Sequence, residues 1–105
     1  MSQDIYDDDI RDTNTVTKTI DGTEGDEQIV LHYVNGLDAD AQINIAGTHE
    51  TDGVLADTVG LGTTTVAADG GTDSHTLADP WDVVVVQVTA QSTPTSGSFV
   101  AKKHQ

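Results

Sequence analysis

There is no cysteine among the 105 residues, so neither a disulfide nor a thiolate metal site can hold this chain together. Small secreted domains often rely on such staples; this one must rely on its core, its partners or salt. Bases are almost as scarce. Arg11, Lys18, Lys102 and Lys103 are the full set, and none lies between Lys18 and Lys102. Phosphate backbones are gripped by clustered Lys and Arg, and anionic bilayers attract basic runs. The scarcity therefore counts against nucleic acid and membrane as partners. The longest apolar run, Val83-Val84-Val85-Val86, is a strand-length piece, well short of the ~20 residues of a membrane helix. The opening Met1-Ser2-Gln3-Asp4 carries no basic or apolar leader region, so no cleaved signal is expected.

Acid is plentiful. Eighteen Asp and Glu give a formal net charge of -14, and nine of them fall in the first 27 residues. A small domain in ordinary cytosol carries a net charge of about 2–8 in magnitude. Excess like charge keeps a protein soluble but strains its compact state. Molar salt removes most of that strain, because the screening length falls to roughly 3 Å at 1 M. The composition reads as built for high salt. Hydrophobic residues make up 35%, enough for one lean core, and the length is that of a single domain.

Residues 1–12 read as an acidic N-terminal arm, with a sandwich domain over residues 13–105. Asp4, Asp7, Asp8, Asp9 and Asp12 crowd the arm, and Ile5, Tyr6 and Ile10 are its large apolar groups besides Met1. These three are expected to dock on a neighbouring subunit. Beyond the arm, turn signals recur about every 8–12 residues, the all-β spacing, and sixteen Thr favour strands over helices. Strands are predicted over residues 13–21, 28–34, 41–46, 63–67, 74–77, 81–90 and 98–102. Val16, Lys18 and Ile20 share one face of the first, Ile43 and Ile45 point inward from the third, and Val84, Val86 and Val88 line one face of the longest. Asn35-Gly36-Leu37-Asp38 predicts a hairpin, with a loop longer than the two-residue kind. Residues 47–62 read as irregular, with Val54, Leu55, Val59 and Leu61 capping the core edge. About seven short strands predict an all-β fold, a single β-sandwich or small jelly roll.

Site chemistry is sparse. Ca²⁺ takes about six to eight oxygens from closely spaced carboxylates and carbonyls, and the Gly-containing stretch with Asp21, Glu24, Asp26 and Glu27 is the best cation candidate. Ca²⁺ or monovalent cations are the only cofactors it suggests. The four His, 32, 49, 75 and 104, lie at least 17 residues apart, unlike the short spacings of Zn²⁺ sites. No G-x-S-x-G elbow occurs, and Ser74 and His75, being neighbours on a strand, point to opposite faces. No catalytic residue is assigned, and the chain reads as non-enzymatic. Trp81, the one Trp, is a candidate for the core or for stacking on a partner.

The stretch Asp79-Pro80-Trp81-Asp82-Val83-Val84-Val85-Val86-Gln87-Val88-Thr89, followed by Ser92-Thr93-Pro94-Thr95-Ser96-Gly97-Ser98, resembles the end of small β-sandwich virion proteins of tailed viruses, particularly those infecting haloarchaea. The resemblance spans residues 28–102, includes the Asn35-Gly36-Leu37-Asp38 segment, and leaves out the acidic arm. It implies a structural protein of the virion, a capsid decoration protein cementing the shell, with a tail or head–tail junction component as the alternative. The implied partners are the major capsid protein, other virion proteins and further copies of the chain. From a different class, a halophilic carbohydrate-binding module would present Trp81 or Tyr33 to a sugar.

Overall fold

The computed structural model describes residues 2–22, 28–51, 54–55, 59–77 and 81–104. They form ten strands: β1 (Ser2–Asp8), β2 (Val16–Asp21), β3 (Ile29–Asn35), β4 (Ala41–Thr48), β5 (Glu50–Thr51), β6 (Val54–Leu55), β7 (Val59–Val66), β8 (Gly71–Leu77), β9 (Val83–Ala90) and β10 (Phe99–His104). Eight of these build two antiparallel four-stranded sheets. Sheet A runs β1-β10-β3-β8 and sheet B runs β2-β9-β4-β7, with β5 and β6 a small separate ribbon. Successive main strands alternate between the sheets except at β4 and β7, which pair directly. That order is the winding of a jelly roll, the all-β sandwich predicted from turn spacing.

Period-two alternation places the core. In β9 every second residue is buried, so Val84, Val86, Val88 and Ala90 point inward. Ile43 and Ile45 of β4 and Ile20 of β2 join them from sheet B; Ile29, Leu31, Tyr33 and Phe99 face them from sheet A. Each large aliphatic group so buried is worth about 1.5–3 kcal/mol relative to exposure. Tyr6 meets Phe99 edge-on, with ring centroids 5.8 Å apart, a favoured aromatic geometry.

The arm expected over residues 1–12 is corrected by this pairing. Ser2–Asp8 is an edge strand of sheet A, antiparallel to β10 with an irregularity between Asp4 and Tyr6. That irregularity lets adjacent Ile5 and Tyr6 both turn inward, where plain alternation would expose one of them. Ile10 is buried as well. The segment is acidic on its outward positions and apolar inward, and a charge count along the chain does not separate the two.

The predicted hairpin at Asn35 is also corrected. β3 and β4 lie in different sheets, so residues 36–40 arch across the sandwich. A type I′ hairpin needs positive φ at both central residues, and among the described residues only Asp69, Gly70 and Gly97 have it. Asn35 instead turns its amide into the core. Its Nδ2 donates to the carbonyls of Ala39 (2.9 Å) and Val66 (3.0 Å), and its Oδ1 accepts from the N–H of Leu37. Nor is the 47–62 stretch wholly irregular: β7 begins at Val59, and Val59 is exposed while Leu61 packs against the core.

Candidate functional site

Two broad faces remain after the core is built, the outer surfaces of the two sheets, and they differ in charge. On sheet B the register sets Thr17 opposite Gln87, Gln87 opposite Asn44, and Asn44 opposite Thr63. The flanking rows add Thr19, Val85 and Ala46 on one side and Thr89, Gln42 and Thr65 on the other. None of these carries a charge, on a chain with a net charge of -14. Many are tied to one another: Gln87 Nε2 donates to Thr17 Oγ1 (3.3 Å), the Thr15 and Thr89 hydroxyls meet at 2.8 Å, and Thr63 Oγ1 donates to Asn44 Oδ1. Cross-strand pairs of this kind hold side chains in place on a sheet.

The outer face of sheet A is different. Asp4, Lys102, His32 and Ser74 form one row across its four strands. Lys102 Nζ lies 3.7 Å from Asp4 Oδ1. His32 and His104 sit diagonally on β3 and β10, with ring centroids 5.0 Å apart. Val34, 43% exposed, faces the half-buried Val100 on the neighbouring strand.

The carboxylates gather at edges and arches. Asp38 accepts from the Thr95 N–H (2.7 Å), the Ser96 N–H (3.3 Å) and the Thr95 hydroxyl, clamping one arch to another. Those bonds, the Thr95 hydroxyl first, hold the Asp38 carboxyl below its ordinary pKa. Asp73 is lowered likewise, first by the Ser74 N–H and then by the Thr64 hydroxyl.

Of the expected cation residues, Asp21 ends β2 exposed, and its carbonyl accepts from Lys103 Nζ at 3.0 Å. Glu24, Asp26 and Glu27 lie outside the described residues. Among the described residues no group of three or more His, Asp and Glu converges. Ile5, Tyr6 and Ile10, expected on a partner, are occupied within this chain's own core. The Tyr6 hydroxyl reaches the carbonyls of Val16 (2.7 Å) and Val86 (2.6 Å), and burial, then the Asp8 carboxylate, push its pKa well above the ordinary range. Trp81 is half-buried at the end of the core, lying against Gly47 and stacked on His49 with centroids 4.9 Å apart. Tyr33 is buried. Ser74 is exposed while the neighbouring His75 turns in against Tyr33, as strand alternation requires.

The uncharged face and the imidazole pair were both missed from sequence. Thr, Asn and Gln at every second position of four strands leave a signal, but only register shows that they share one surface.

No protein-family model matches the chain, and no curated protein matches it. Among solved structures it is similar to the PBSX exported protein XepA, with a TM-score of 0.69 and 11% identity, covering 98% of this chain and 36% of that one. It is also similar to PirA, with a TM-score of 0.54 and 10% identity, covering 96% and 90% of the two chains. The chain thus spans about a third of the XepA chain. At these identities the likeness is one of fold.

Proposed function

We propose that this chain is a non-enzymatic structural protein of a virion, a capsid decoration protein of a halophilic tailed virus. It docks by the uncharged outer face of sheet B. The observation that carries the reading is the segregation of charge: carboxylates gather at the edges, strand ends and arches, while the middle of one sheet face carries only Thr, Asn, Gln, Val and Ala. Burying an ionised carboxylate at an interface is costly unless it is paired. A neutral face exchanges its water hydrogen bonds for protein ones at little net cost. The carboxylates stay solvated and screened at molar salt. The jelly roll supplies a rigid body, and the likeness to an exported protein fits a structural or binding role. Repetition over a symmetric shell would turn a modest contact into firm attachment. The partner in this reading is the major capsid protein or another virion protein, and homo-oligomers on the shell suit it.

A tail or head–tail junction component would use the same face. The carbohydrate-binding reading gains less: Tyr33 is buried, and the Trp81 ring is engaged by Gly47 and His49.

The test is a pull-down in molar KCl with tagged protein and lysate of infected halophilic cells, read by mass spectrometry. Near-stoichiometric capture of a shell protein, lost when Asn44→Asp and Thr63→Asp put charge into the face, supports the proposal. Capture of tail proteins moves the chain to the alternative. Retention of glycans alone, or binding indifferent to the two substitutions, overturns it.

A further inference from the structure

We propose that His32 and His104 form a two-imidazole site for a borderline divalent transition ion, Zn²⁺ in the first instance. The site does not depend on the virion reading. In the β3–β10 ladder His32 faces Lys102 and His104 faces Val30, so the two rings are diagonal neighbours on one outward face. Their centroids stand 5.0 Å apart with the planes at 76°. With Zn–N near 2.1 Å, an ion lies about 3.2 Å from each ring centre, so a tetrahedral angle sets two rings about 5.2 Å apart. The observed separation is close to that value, in an edge-on arrangement of the two rings.

The ring nitrogens are available. Among the described residues neither His32 nor His104 has a hydrogen-bond or ion-pair partner, and His32 is exposed. The other two histidines are committed: His49 stacks on Trp81 and lies 3.7 Å from Asp82, and His75 packs against Tyr33 with Nδ1 buried. The nearby ammonium, Lys102, is flanked by His32 on one strand and Asp4 on the other, and lies 3.7 Å from the Asp4 carboxylate. The chain's net charge of -14 raises the local concentration of any cation. Softness then selects: carboxylates suit Mg²⁺ and Ca²⁺, whereas imidazole suits Zn²⁺, Cu²⁺ and Ni²⁺. Two protein ligands leave coordination positions open, for water or for side chains of a neighbouring molecule.

The experiment is a calorimetric Zn²⁺ titration of the full chain at pH 7.5 in 1 M KCl, with excess Mg²⁺ to occupy carboxylates. A single saturable site is expected. Affinity should fall at least tenfold in His32→Ala and in His104→Ala, and stay unchanged in His49→Ala. It should also fall at least tenfold at pH 5, because protons compete with the ion for its ligands. Circular dichroism of the variants checks that the fold is retained, which these outward positions favour. Wild-type affinity in either the His32 or the His104 variant, or loss of all binding in excess Mg²⁺, overturns the proposal and leaves only carboxylate association.

Discussion

The hydroxyl of Tyr6, in the first strand of sheet A, lies 2.6 Å from the carbonyl of Val86 in β9, an inner strand of sheet B. It shares its one proton between that carbonyl and the carbonyl of Val16, 2.7 Å away. The contact joins the two sheets through the core. Tyr33 is the counterpart: its hydroxyl is also buried but has no partner among the described residues. Tyr6→Phe should therefore destabilise by about 1–2 kcal/mol, while Tyr33→Phe should be neutral or slightly stabilising. Urea unfolding of both variants checks this, and equal losses would contradict it.

Deletion of residues 1–12 should abolish cooperative unfolding. It removes an edge strand and takes Ile5, Tyr6 and Ile10 out of the core. Large-to-small changes at single core sites already cost about 2–5 kcal/mol, against a total stability of roughly 5–15 kcal/mol. Lys18 reinforces the segment, with Nζ 2.9 Å from Asp8 and 4.6 Å from the Tyr6 ring centroid. A truncated chain that still melts in one sharp transition would show the strand to be dispensable.

Gly97 should tolerate alanine worse than Gly70, although both have positive φ, 85° and 100°. The left-handed region costs a non-glycine residue about 1–2 kcal/mol. A methyl at Gly70 meets open space, whereas one at Gly97 would drive into the Gly36 carbonyl and approach Leu37 Cα. Thermal melts of the two Ala variants should rank Gly97→Ala well below Gly70→Ala.

Asp38 gives an acid-side signature. Its folded pKa lies below its unfolded one, because the Thr95 and Ser96 donors favour the carboxylate. The unfolded chain therefore binds more protons in the acid range. The stabilisation is present above the unfolded value, near 3.9, and is lost as pH falls through the folded value. Asp38→Asn should be less stable than wild type at pH 6, and the two curves should converge as pH drops below about 4. A constant gap down to pH 2 would contradict this.

Salt should stabilise the protein, with most of the gain at low concentration. The screening length falls from about 30 Å at 0.01 M to about 3 Å at 1 M, and self-repulsion at net charge -14 weakens with it. The melting temperature should rise steeply up to about 1 M KCl and then flatten. No rise, or a fall over that range, would undo the reading of a chain adapted to high salt.

The sequence by itself determined the fold class, the strand spacing and most inward residues. Alternation is a local property: Val84, Val86 and Val88, or Ile43 and Ile45, need only their own strand's period to be sorted. Composition likewise settled the charge and the absence of thiol chemistry. Which strands pair was decided only in three dimensions, because sheet order depends on how arches cross the sandwich. Asn35-Gly36 looks like a hairpin until the Asn35 amide is seen holding Ala39 and Val66 across the core. The acidic start hid an edge strand because its charges and its anchors alternate within a few residues. His32 and His104 belong to strands far apart in the chain, β3 and β10, and the Thr, Asn and Gln of sheet B come from four separate strands. Both surfaces exist only through register, a long-range relation that local spacing does not encode.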